Sequence, residues 1–122
     1  MLVVEDEPLI RMDLVDQLQR KGCCTLEASS AAEAILILNE RSDVTVVFTD
    51  IQMPGTMDGI QLAQYVRERF PPTIVVVSSG KIVPPPNALA DDVAFLTKPY
   101  DDQKLSSIIA DVRSRLAMSH TF

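Results

Sequence analysis

The chain has 122 residues, which fits one domain with a substantial core but leaves no room within it for an added effector module. Its composition is 47% apolar and 23% charged, as in a globular protein, and no apolar run approaches the roughly 18 to 20 residues of a membrane span. A formal net charge of -6 argues against a surface that wraps nucleic acid, because such surfaces cluster positive charge. Cys23 and Cys24 are adjacent and His120 is the sole histidine, too few ligands for a zinc site and no basis for a disulfide framework. Buried, reduced thiols are expected. The start lacks the pattern of a signal peptide, so a soluble cytoplasmic domain over 1–122 is predicted.

Leu2 to Val4 is apolar and reads as a first strand, short for a central one, which ends in Glu5-Asp6-Glu7. Pro8 suits a first helical turn, and Ile10, Leu14, Val15 and Leu18 recur at helical spacing until Gly22 stops the helix. Cys23 to Ala28 is a second strand. Ser30 with Glu33 has the capping-box form, and Ala31, Ala34, Ile35 and Leu38 make one apolar helical face. Val44 to Thr49 is a continuous apolar strand, as a parallel strand buried on both faces would be, and it delivers Asp50 at its carboxyl end.

Met53 to Met57 is a loop, and Asp58 caps a helix through Phe70 that Pro71-Pro72 terminates. Thr73 to Val77 is the fourth strand and hands over to Ser78-Ser79-Gly80. Pro84-Pro85-Pro86 forbids an ordinary helix between Lys81 and Asp92, so an irregular connection is predicted there. Val93 to Thr97 is the fifth strand, and Leu105, Ile108, Ile109, Val112 and Leu116 form the stripe of a last helix from Asp101 to about Met118. Strands alternating with helices imply a doubly wound α/β fold with a parallel sheet covered on both faces.

Ligands bind such sheets beyond the carboxyl ends of the strands. Glu5, Asp6, Asp50, Ser78 and Lys98 all fall there. Three crowded carboxylates call for a divalent cation or raised pKa values, and a hard cation with a hydroxyl and an ammonium suits phosphate chemistry.

These segments resemble, in order, the receiver domains of two-component response regulators. Leu2-Val3-Val4-Glu5-Asp6-Glu7 is similar to the family's acidic pair, and Thr49-Asp50-Ile51-Gln52-Met53-Pro54-Gly55 with Asp58-Gly59 to its phosphoacceptor loop. Val75-Val76-Val77-Ser78-Ser79-Gly80 resembles the hydroxyl-bearing strand end, and Phe95-Leu96-Thr97-Lys98-Pro99-Tyr100 the lysine–proline turn. The resemblance implies a flavodoxin-like five-stranded parallel sheet of order 2-1-3-4-5, with the helix after the fourth strand shortened or missing because the three prolines fall in it. It implies that Asp50 accepts a phosphoryl group from a histidine kinase or histidine phosphotransfer protein. Mg2+ would be held by Asp6, Asp50 and the Gln52 carbonyl, with Glu5 holding a bound water; Ser78 and Lys98 would bind the phosphoryl oxygens. Ser78, Phe95 and Tyr100 would form the switch.

The chain departs from the family in Glu5, where Asp is more frequent, in Thr56, which lengthens the loop by one residue, and in Phe95, which lacks the hydroxyl often found at its position. The resemblance makes the chain a signalling switch that catalyses only its own phosphorylation and dephosphorylation, and whose output passes to a downstream protein, with neither nucleic acid nor membrane as a partner and a homodimer left open. A degenerate receiver serving as a constitutive interaction module is the alternative. A metal-dependent phosphohydrolase would need an acid/base Asp at position 52, which holds Gln.

Overall fold

The computed structural model describes residues 1–53, 55, 57–80, 93–98 and 101–119. The prolines at 84–86, Thr56, Tyr100 and His120 lie outside the described residues, and so do the expectations that rest on them. Five strands form one parallel sheet in the order β2-β1-β3-β4-β5: β1 Leu2–Val4, β2 Leu26–Ala28, β3 Val46–Asp50, β4 Ile74–Ser79 and β5 Ala94–Thr97. The described helices are α1 Pro8–Arg20, α2 Ala31–Glu40, α3 Gly59–Arg69 and α4 Asp102–Ser119. Both the parallel sheet and its 2-1-3-4-5 order match the expectation.

Strand alternation divides the core into two layers. Leu2, Val4, Val47, Val75 and Val77 face α2 and α3, which supply Ala34, Leu38, Leu62 and Val66. Val3, Phe48 and Val76 face α1 and α4, which supply Leu14, Leu18, Leu105 and Ile109. Covering both faces explains why β3 and β4 are continuous apolar runs.

Helix ends follow local chemistry. Pro8 occupies the first turn of α1, and Gly22, at a φ of 89°, takes the left-handed turn past its end. Asp58 and Gln61 form a complete capping box on α3, with both bonds at 2.9 Å. Ser30 caps α2 by accepting the Glu33 amide at 3.1 Å, but the Glu33 carboxylate accepts from the Ser29 hydroxyl instead of closing the box.

Four expectations shift. Ile10 does not join the buried stripe of α1 and is 44% exposed, because the first turn of the helix stands at the carboxyl edge of the sheet, past the end of β1. The second strand starts at Leu26 rather than Cys23: the Cys23 amide donates to Leu18 O at 3.0 Å, completing the end of α1, and pairing with β1 begins at Leu26. Both thiols are free as expected, but Cys23 is only half-buried and Cys24 is exposed. The third and fourth strands extend to Asp50 and Ser79, because Asp50 pairs with Ser78.

Candidate functional site

The parallel sheet aims the carboxyl ends of β1, β3, β4 and β5 at one edge. Glu5 continues β1, its amide donating to Ala28 O of β2 at 3.0 Å, and Asp6 follows at the surface. Asp50 is the last residue of β3 and lies beside Ser78, which is buried. Lys98 follows β5, and its amide donates to Ser79 O at 2.8 Å. Strand register alone thus gathers residues drawn from positions 5 to 98.

The side chains meet. Carboxylate oxygens of Glu5, Asp6 and Asp50 lie within 4.8 Å of one another. The Lys98 ammonium bridges two of them, 3.0 Å from Glu5 Oε1 and 3.3 Å from Asp50 Oδ1. These side chains are 5% (Glu5), 12% (Asp50) and 21% (Lys98) exposed. Glu5 Oε2 accepts the Glu7 amide at 3.3 Å. Gln52 is exposed in the loop two residues past Asp50.

Burial pushes the Glu5 carboxyl above its ordinary range, against the opposing pull of Lys98 and the Glu7 amide. Asp50 is also raised, first by burial and further by the charge of Asp6, with Lys98 pulling the other way. One ammonium serves two carboxylates and fully compensates neither. For Lys98 burial works against the charge, but hydrogen bonding to Glu5 and the charge of Asp50 outweigh it and its pKa rises. The acids therefore carry an excess of poorly solvated negative charge. A hard divalent cation fits that donor set, since such ions take a few carboxylate oxygens and keep several waters.

Gly59 sits against the back of this loop. Its amide donates to Ile51 O at 2.8 Å, and a Cβ there would collide with the Asp50 carbonyl and lie 2.7 Å from Ile51 Cα. Only glycine lets α3 start this close to the end of β3. Thr49 donates its hydroxyl to Asp50 O at 3.0 Å, and the Ile51 amide donates to Ser78 O at 3.0 Å, so the backbone around Asp50 is held on several sides.

Of the predicted site residues, the structure gathers Glu5, Asp6, Asp50, Ser78 and Lys98 at one edge. Phe95 pairs with Val77 and packs, half-buried, against the core layer that faces α2 and α3. Arg11 is not among the residues predicted from sequence, yet its guanidinium donates to the Glu5 carbonyl at 2.8 Å and to Glu27 at 3.2 Å. A signal was available: Arg11 precedes Leu14 by three residues and Val15 by four, which puts a charged residue on the buried face of α1.

Residues 1–110 match the family model of the response regulator receiver domain. The transcriptional regulatory protein GlrR of Escherichia coli (strain K12) is 33% identical over 123 residues, covering 96% of this chain and 27% of GlrR. The sensor kinase CckA of Brucella abortus (strain 2308) is 34% identical over 118 residues, covering 91% of this chain and 12% of CckA. The chain thus spans about a quarter or less of these two longer relatives. Among solved structures, a response regulator receiver protein from Sinorhizobium medicae WSM419 superimposes with a TM-score of 0.85 at 28% identity, covering 93% of this chain and 94% of that one. The receiver domain of the hybrid histidine kinase CckA gives 0.76 at 29% identity, covering 91% of this chain and 95% of that one. With its sheet order, its edge of acids and lysine, and a family match over most of its length, the chain belongs to the response regulator receiver domains of two-component signalling.

Proposed function

We propose that the whole chain, 1–122, acts as one phosphoryl-accepting receiver, with Asp50 as the acceptor. The observation that carries this is the position of Asp50: a half-buried carboxylate at a strand end, 3.3 Å from the Lys98 ammonium and grouped with Glu5 and Asp6. The donor is a phosphohistidine on a histidine kinase or a phosphotransfer protein. An Asp50 oxygen attacks phosphorus, the P–N bond breaks as the O–P bond forms, and the imidazole leaves with its electron pair.

Phosphoryl transfer depends mainly on position and on stabilising charge over the equatorial oxygens. Lys98 already stands beside the attacking carboxylate and suits one of those oxygens. Mg2+, held by Asp6, Asp50 and the Gln52 carbonyl with Glu5 acting through water, would neutralise charge on the other oxygens. Ser78, paired in register with Asp50, supplies a hydroxyl for the attached group. The product carries roughly -1.5 to -2 charge, and drawing Ser78 toward it changes the packing next to β5, which carries Phe95; Tyr100, five residues further along the sequence, is the other aromatic assigned to the switch.

A protein donor has an apolar surface to meet. Leu9, 75% exposed, and Met12, 61% exposed, stand with Ile10 in the first turns of α1, just after the acidic loop. Such a run of exposed apolar side chains just after the acidic loop suits a protein partner better than a small ester. No helix among the described residues is long and apolar enough to cross a membrane. A receiver charged by such a donor works in the cytoplasm, where kinases draw on ATP, and takes a protein as its downstream target.

The test is to incubate the chain with Mg2+ and acetyl phosphate and measure its intact mass. The expected result is a gain of one phosphoryl group that is lost in Asp50→Asn. No uptake from acetyl phosphate or from a phosphohistidine protein would overturn the reading and favour a constitutive interaction module.

A further inference from the structure

We infer that Arg11 is a positioning residue that presets the acidic loop for the divalent cation; the inference rests on the metal-assisted reading given above. Arg11 lies in the second turn of α1, half-buried, and its guanidinium joins three elements. Nη1 donates to the Glu5 carbonyl at 2.8 Å, and Nε donates to Glu27 Oε1 of β2 at 3.2 Å. The side chain therefore ties the start of α1 to the end of β1 and to the neighbouring strand.

The Glu5 carbonyl belongs to the planar peptide unit whose other half is the amide of Asp6, so fixing that oxygen fixes the direction in which the chain enters Asp6. Every other polar group of Glu5 is also engaged. Its amide bonds Ala28 O, Oε2 accepts from the Glu7 amide, and Oε1 meets Lys98. Asp6 is exposed, and its carboxylate joins those of Glu5 and Asp50 only if the preceding peptide is correctly turned. Arg11 is the one side chain found bonded to that peptide among the described residues. Its planar fork serves Glu5 O and Glu27 together, which a lysine cannot do in the same geometry.

Two physical effects of Arg11 oppose each other, and this makes the inference testable. A guanidinium bonded to the backbone of the acidic loop opposes a cation there by charge repulsion, so removing it for electrostatic reasons alone tightens Mg2+. Removing a hydrogen bond that orients ligand residues loosens Mg2+, typically by tenfold or more. The sign of the change separates the roles.

The experiment titrates the metal-free full chain with Mg2+ alone by calorimetry, for the wild type, Arg11→Ala, Arg11→Lys and Glu27→Gln. Positioning predicts about tenfold weaker Mg2+ binding in Arg11→Ala, partial recovery in Arg11→Lys, and a smaller loss in Glu27→Gln. With acetyl phosphate, the Mg2+ concentration for half-maximal phosphorylation should rise by the same factor while the rate at saturating Mg2+ stays near wild type. A general loss of fold would instead lower the rate at saturating Mg2+ as well. Unchanged or tighter Mg2+ binding in Arg11→Ala overturns the assignment. If that variant shows no folding transition, Glu27→Gln decides, since it keeps the guanidinium and removes only its anchor; unchanged affinity there is then the overturning result. A wild type that takes no Mg2+ overturns the metal reading and this inference together, whereas a wild type that binds beside an unaffected variant overturns only the role of Arg11.

Discussion

Lys98 and Glu5, ninety-three positions apart, form a 3.0 Å ion pair at the carboxyl edge of the sheet, and the same ammonium also holds Asp50. Replacing it by Lys98→Met leaves two poorly solvated carboxylates facing each other. Breaking a fully buried pair costs about 3 to 5 kcal/mol; here water reaches the group, and about 1 to 2 kcal/mol is expected. Chemical denaturation at pH 8 and pH 5 checks this, with the smaller loss expected at pH 5, where more of the carboxyls are protonated.

Asp50→Asn should stabilise the metal-free chain by about 1 kcal/mol at neutral pH, because it removes a charge that burial disfavours and leaves Lys98 wholly to Glu5. The pH dependence has a definite sign. Glu5 and Asp50 have folded-state pKa values above their unfolded ones, so their contribution is full below the unfolded range near 4 and is lost as pH rises through the raised values. Lys98 is also raised, and its contribution is lost only as pH climbs through its own folded value, above about 10.4. Denaturation in chelator from pH 4 to 7 should show stability falling in the wild type and falling less in Asp50→Asn. A wild-type slope of the opposite sign would refute this account.

Gly59→Ala should cost about 2 to 3 kcal/mol, since its new methyl group meets backbone at the Asp50 carbonyl and Ile51 rather than a side chain that can yield. Thermal melting measures the loss. Because any relief moves the backbone of Asp50, Mg2+ affinity should fall in the same variant.

Leu9→Ser and Met12→Ser should leave stability within about 0.5 kcal/mol, as both side chains face solvent. They should nevertheless slow transfer from a phosphohistidine protein by about fivefold or more, the effect of losing roughly 1 kcal/mol of interface contact. Acetyl phosphate, which needs no such contact, should react at the wild-type rate.

Asp43 should titrate at about 2, held down by its hydrogen bonds from Arg41 at 2.9 and 2.7 Å. Its contribution to stability is present above the ordinary Asp value and lost as pH falls through about 2. Carbon-detected NMR follows the carboxyl directly, and Arg41→Gln should return it to near 3.9.

Much of this molecule is readable from residue order. The apolar runs at Val46–Phe48 and Val75–Val77 declare strands buried on both faces, and Pro8, Gly22 and Asp58 mark helix ends through their own backbone or side-chain chemistry. Asp50 and Lys98 are legible as neighbours because parallel strands bring their carboxyl ends to one edge whatever the loops between them do. Ile10 keeps the helical spacing yet stays exposed, because periodicity reports which side of a helix a residue occupies, not whether a sheet lies beneath that turn. Cys23 suits a strand by its apolar character, but its amide is committed to Leu18 O at the end of α1.

The sequence by itself determined the alternation of strands and helices, the load of acids, hydroxyl and lysine at the strand ends, and through them the family. Those follow from local periodicity, from turn and cap chemistry, and from motifs a few residues long. Only the tertiary structure decided that one ammonium is shared by Glu5 and Asp50, that Gly59 has no space for a side chain, and that Arg11 reaches across to the Glu5 carbonyl. Each of these relations is a distance between groups that the chain brings together only after the sheet has set its register and the helices have packed, and no local pattern encodes such a distance.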